Sequence, residues 1–317
     1  MAGHHMAHFL PSRDMREARQ EGMAVSIEAS GNRHFTNALA TNFYYSFLFL
    51  PREKREAIEA VYAFARRGDD LADGGLSPQE AAREIALHRQ ALDRCYAGDP
   101  SKSGEGGVDG ELAALARAIR RFHIPRRPFD DLILGLEMDL GMDRSAATYR
   151  TFEELQVYCH RVAGTIGLIS IEVFGYRSPT ASDYALNLGT ALQLVNILRD
   201  LQADARRGRV YLPQEDMDRF GVSAADLAEG RTTSSFVELL RFECGRARGF
   251  FDRARANLAA EDRRSLVAAE IMGAIYWRLL RRIEKCAHRV FRGRVHLSRP
   301  VKFWTALSVY CGAEWQK

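Results

Sequence analysis

An all-α fold in a single domain is what the sequence predicts, on three observations. Apolar residues recur at the three- and four-residue spacing of helices almost throughout, and alternating strand patterns are scarce. Pro51, Pro78, Pro125, Pro128, Pro179 and Pro213 fall between the periodic segments, where they read as breaks or first-turn residues. With 46% hydrophobic residues in 317, the chain can fill one large core, and neither a repeat nor a composition break marks a second domain. Helices are predicted near 36–49, 52–68 (continuing to about 73), 78–97, 111–122, 127–140, 151–175, 180–204, 233–258 and 261–292. Gly98 to Gly110 reads as a surface loop, and it lacks the GxxxxGK[ST] pattern of a phosphate-binding loop. Residues 1–35 read as a partly disordered N-terminal segment whose start resembles a tag, 36–305 as the domain, and 306–317 as a C-terminal tail.

Composition narrows the function. A net charge of +4 is too small to argue for nucleic acid, no nucleic-acid reader motif is present, and no such partner is expected. An anionic small molecule or an anionic membrane surface would suit that charge equally well. No signal peptide follows Met1, and no uninterrupted apolar run of membrane-spanning length occurs, so a membrane-spanning helix is not expected. The five cysteines are scattered without a CxxC pair, which fits reduced thiols in the cytoplasm.

The informative stretch is Gln193 to Pro213, where Asn196, Asp200 and Asp204 recur every fourth residue. On a helix these share one face, a column of oxygen ligands inside an apolar run (Leu194, Val195, Ile197, Leu198, Leu201). Such oxygens suit a hard divalent cation, Mg²⁺ with Mn²⁺ as the alternative, and Arg199, Arg206, Arg207 and Arg209 nearby suit phosphate. A metal–diphosphate substrate is the functional reading; a solvated acidic helix face is the bland one. A second column shifts the balance. Tyr62, Arg66, Asp69 and Asp73 lie along one helical face, and like charges four apart cost a helix a few tenths of a kcal/mol unless a counter-ion offsets them.

These two columns resemble the acidic motifs of the squalene/phytoene synthases, the head-to-head prenyltransferases. The segment Asn42 to Arg52 (NFYYSFLFLPR) resembles the family's opening aromatic segment, Tyr158 to Gly167 its middle motif, and Gly208 to Pro213 the segment after the second acidic helix. The resemblance covers roughly residues 36 to 305 and implies the isoprenoid-synthase helical fold with a central cavity. It implies a metal held by Asp69, Asp73, Asn196, Asp200 and Asp204, with Arg66, Arg199 and Arg209 on diphosphate. It also implies Phe43 near the substrate and Tyr158 in the reaction cavity, with Tyr62 on the first acidic face as a further catalytic candidate. Tyr45, Gln193, Tyr276 and Arg294 are additional candidate substrate contacts. Gly164 and Gly167 read either as close helix packing or as a local break that makes room for a prenyl chain.

The chemistry the resemblance implies is departure of one diphosphate, attack of a second prenyl chain on the allylic cation, and proton loss to close a cyclopropane. The motif wording most resembles bacterial presqualene diphosphate synthases of the hopanoid route. That implies two farnesyl diphosphates as substrate, no NADPH for this step, and a downstream pathway enzyme as a partner. Phytoene, dehydrosqualene and squalene synthases share nearly all of these motifs and are the alternatives. The first motif reads DDLAD, where many relatives carry another acidic residue or valine in the middle, but Asp69 and Asp73 are intact. A non-catalytic assembly factor on the same fold would be expected to lose acidic ligands, and this chain keeps all five. The expected location is the cytoplasm, with a peripheral contact at the inner face of the membrane suggested by the cations between Arg278 and Lys302.

Overall fold

The structure is a computed structural model that describes residues 42–73, 77–98, 108–145 and 149–315. Thirteen α-helices and no strand occur among the described residues. Helix α1 is Asn42–Phe47, α2 Arg52–Asp73, α3 Pro78–Ala97, α4 Val108–Phe122 and α5 Arg127–Ser145. Next come α6 Phe152–Cys159, a π-helical turn at His160–Gly164, and α7 Thr165–Phe174 in one continuous rod. Helix α8 is Ala181–Ala205, α9 Gln214–Phe220, α10 Ala224–Glu229, α11 Ser234–Asn257, α12 Val267–Lys285 and α13 Arg299–Tyr310.

Local chemistry sets several boundaries. Helix α3 opens on a reciprocal cap in which the Ser77 hydroxyl accepts from the Glu80 amide and Glu80 accepts from the Ser77 amide. It closes at Gly98, whose φ of 78° is left-handed. Thr151 and Thr233 cap α6 and α11 with one bond each, their hydroxyls accepting from the Glu154 and Phe236 amides.

The predicted helices are present, with corrections. Residues 36–41 of the first lie outside the described part, as do residues 1–35 and most of the Gly98–Gly110 loop. The fourth begins earlier, at Val108, and the fifth continues to Ser145. The long element foreseen over 261–292 is three pieces, because α12 is flanked by short 3₁₀ turns at Ala260–Asp262 and Ala287–Arg292. Helices α9 and α10 were not foreseen, since 7 and 6 residues are too few to display a period. Helix α13 was not foreseen either. It packs on α12 and α1, so Ala306–Tyr310 belongs to the fold rather than to a detached tail.

Helix α8 is the axis of the bundle. It is buried along most of its length and contacts α11, α7, the π turn, α10 and α12. Close approach depends on two glycines. A Cβ at Gly189 would sit 2.6 Å from the Ala163 carbonyl oxygen, and one at Gly167 would sit 2.6 Å from that of Ala185. Gly167 is therefore a packing glycine, whereas Gly164 ends the π turn, a local break in the rod as the sequence allowed. The rod Phe152–Phe174 is long and apolar enough to cross a membrane, contrary to the sequence expectation, but 61% of its apolar window is buried inside the bundle, as a core helix would be.

Gly189→Ala should therefore force α8 away from the π turn, lowering stability by about 1–3 kcal/mol. A urea unfolding midpoint equal to that of the parent would contradict this packing.

Candidate functional site

The two acidic columns lie on helices that both line one apolar cleft. Its walls come from α1 (Phe43, Phe47), α2 (Ile58, Tyr62), α7, α8 (Leu188, Gly189) and α12. Phe43 and Tyr62 are in ring contact at 5.0 Å.

On the α8 side the polar residues are buried. Gln193 is 0%, Asn196 1% and Asp204 4% exposed. Asp200 is gripped by two arginines. Arg199 donates Nε to Oδ1 at 3.1 Å and Nη2 to Oδ2 at 2.6 Å, and Arg294 donates Nε to Oδ1 at 3.1 Å. Burial pushes the Asp200 carboxyl up, but the two guanidiniums outweigh it and hold the group well below the usual carboxylate range. The carboxylate holds two guanidinium forks, groups suited to phosphate oxygens, with the buried Asp204 also acting on Arg199. Arg199 and Arg294, expected as diphosphate ligands, are thus both assembled on a predicted metal ligand. Asp204 accepts the backbone N–H groups of Arg207 and Arg209 at its carbonyl, so the chain turns sharply after α8. That turn carries the buried Arg209 beside Arg207, whose pKa is lowered by burial first and by the Arg209 charge second.

On the α2 side Asp69 is buried, and the Arg66 guanidinium lies 3.8 Å from the Asp70 carboxylate. The side chain of Asp73 lies outside the described residues. Tyr62 is half-buried, and its solvent-shielded hydroxyl makes no hydrogen bond. Burial, with the Tyr276 hydroxyl and Asp69 nearby, holds that phenol protonated. Tyr276 on α12 also acts electrostatically on Arg199.

The structure adds a residue that the sequence reading missed. Asp139 on α5, 1% exposed, accepts the hydroxyls of Tyr158 at 3.0 Å and Tyr211 at 2.9 Å. The rings of Tyr158 and Tyr211 stack at 5.3 Å, with Tyr149 alongside at 5.6 Å from Tyr158. Burial and the Asp139 charge both push the Tyr158 phenol up, so it is a donor and not a base. A signal existed, since Asp139 and Asp143 form a third D-x-x-x-D pair. Tyr45 does not line the cleft; it lies in edge contact with Tyr44 and feels the Arg299 charge.

Among the described residues no three histidine, cysteine or carboxylate groups converge as a ready metal cage. The donor set nonetheless fits Mg²⁺, which is usually held by one or two carboxylates together with substrate phosphates rather than by an all-protein cage. The buried Asn196 Oδ1, which lacks a hydrogen-bond donor, is an oxygen of the kind such an ion takes.

Comparison with known proteins identifies the family. The family model for squalene/phytoene synthase matches residues 36–301. Phytoene synthase of Mycobacterium tuberculosis is 39% identical over 289 residues, covering 87% of this chain and 90% of that protein. The 15-cis-phytoene synthase of Synechococcus elongatus is 38% identical over 279 residues, covering 84% and 86%. Among solved structures, a ligand-bound dehydrosqualene synthase superposes with a TM-score of 0.73 at 27% identity, covering 85% of this chain and 90% of that one. A squalene synthase from Alicyclobacillus acidocaldarius gives 0.68 at 27% identity, covering 78% and 89%.

Asp200→Asn should abolish turnover and also destabilise the protein by about 3–5 kcal/mol, because Arg199, 7% exposed, is left without its counter-charge. The folded pKa of Asp200 is depressed, so its contribution is complete above the unfolded value of about 3.9 and fades as pH falls below it. The stability gap between parent and variant should accordingly narrow below about pH 4. Arg294→Gln, at a position 30% exposed, should cost less stability. Equal melting of Asp200→Asn and parent at pH 7 would contradict the pairing.

Proposed function

The chain belongs to the squalene/phytoene synthase family of head-to-head prenyltransferases, and we propose that it joins two allylic prenyl diphosphates with release of diphosphate. The observation that carries this reading is the pair of guanidiniums held on Asp200, on the helix that walls an apolar cleft. Diphosphate oxygens would compete with Asp200 for Arg294 and Arg199, while the prenyl chains occupy the cleft. Asp69, Asp73, Asn196, Asp200 and Asp204 would hold Mg²⁺, with Mn²⁺ as the alternative. When bound, that ion supplies charge neutralisation to the leaving diphosphate.

The other residues have roles that follow from their surroundings. Phe43 and Tyr62 line the cleft, where aromatic rings would stabilise an allylic cation and help exclude water. The Tyr62 hydroxyl is a donor left for a ligand, whereas that of Tyr158 is committed to Asp139. Tyr158 therefore orients the floor of the site through Asp139 and does not accept the proton. Arg66 and Arg209 serve as further diphosphate contacts, and Gln193, whose Nε2 makes no hydrogen bond, serves as a polar contact from α8. Tyr276 positions Arg199.

For the product, the phytoene synthases at 38–39% identity favour geranylgeranyl diphosphate as substrate and phytoene as product. The second reading is presqualene diphosphate from two farnesyl diphosphates, made without NADPH; the resemblance in fold to dehydrosqualene and squalene synthases favours it.

The deciding assay incubates the protein with Mg²⁺ and each prenyl diphosphate, with and without NADPH, and identifies products by mass spectrometry. A C40 hydrocarbon from geranylgeranyl diphosphate is the expected outcome. A C30 diphosphate that accumulates even with NADPH would move the chain to the second reading, and no turnover of either substrate would overturn the proposal.

A further inference from the structure

Helix α13 has its polarity reversed. Seven large hydrophobic side chains stand exposed among the described residues, and four of them, Val301, Phe303, Trp304 and Tyr310, belong to this one helix. Trp304 is 65% exposed, while Lys302 faces inward at 6% together with Thr305, Ala306 and Val309. A surface helix ordinarily does the opposite and turns its charges to water. From Phe303 to Ala313 the sequence contains no charged residue at all. Exposed apolar groups gathered in this way mark an interaction surface rather than scattered surface hydrophobics.

The surroundings identify the partner. The chain enters α13 through exposed Arg289, Arg292 and Arg299, and between Arg278 and Lys302 nine cations face a single acid, Glu284. A tryptophan and a tyrosine on an apolar face flanked by cations match the boundary between lipid headgroups and acyl chains. A second copy of this chain fits less well, because a two-fold contact through α13 would bring two such cation clusters together. We propose that α13 docks on an anionic lipid surface, with Phe303 and Trp304 at the acyl boundary and Arg289, Arg292 and Arg299 over the headgroups. The site is continuous with the cleft wall. Tyr310 stacks on Phe49 at 4.4 Å, and Phe49 is two residues beyond Phe47, which lines the cleft. Docking would therefore set the cleft beside the membrane, whatever prenyl product it releases.

The test is co-sedimentation of the full chain with phosphatidylcholine vesicles, with and without phosphatidylglycerol, at low and high salt. Trp304 fluorescence reports insertion, since the other two tryptophans, Trp277 and Trp315, are each 8% exposed. The expected result is binding only to the anionic vesicles, weakened by salt, with a blue-shifted emission. The double variant Phe303→Ser/Trp304→Ser should bind at least about tenfold more weakly. Arg289→Gln/Arg292→Gln should also bind more weakly and keep the parental melt. Undiminished binding by the aromatic variant, no binding by the parent, or an α13-dependent dimer that ignores vesicles would each overturn the proposal.

Discussion

Helix α8 carries Gln193, Asn196, Asp200 and Asp204 through the interior, where an ionised carboxylate has to be compensated. Desolvating one ionised carboxylate costs several kcal/mol, and attraction to a partner offsets this only when the geometry is good. At Asp200 the offset comes from two guanidiniums, one from the neighbouring residue and one delivered by Arg294 from 94 positions away. Much of the architecture serves that meeting. Helix α12 brings Tyr276 to Arg199, and the chain beyond the Ala287–Arg292 turn brings Arg294 to Asp200.

The apolar half of the site rests on backbone proximity. Gly167 and Gly189 let α7, the π turn and α8 touch without side chains between them. The cleft forms where α2 stands off from α8. At the polar end Tyr158, Tyr211 and Asp139 tie α6, the segment after α8, and α5 into one hydrogen-bonded group. A site that must shield a carbocation from water and also bind a polyanion needs both halves at once, and α8 supplies a wall to each.

The sequence was most legible where a period survived. The four-residue spacing of Asn196, Asp200 and Asp204 placed them on one helix face without knowledge of any partner, as did Tyr62, Arg66 and Asp69. Tyr276 and Arg294 were identifiable only as candidates, because their value lies in contacts across the fold. Asp139 escaped because its hydrogen-bond partners are 19 and 72 residues distant, and its four-residue spacing from Asp143 names neither of them. Tyr45 was drawn in by its aromatic neighbours, yet one-residue steps on a helix turn by about 100°, and it faces Arg299 instead. Helix α13 was read through its cations, whereas its solvent-facing side is aromatic.

The central claim is that the paired cations at Asp200 are the receptor for a metal-bound diphosphate. Calorimetric titration with an unreactive prenyl thiodiphosphate, with and without Mg²⁺, tests it most directly. Tight binding that requires Mg²⁺ and is lost in Arg294→Gln is the predicted result. Equal affinity without the metal, or in that variant, would contradict the account.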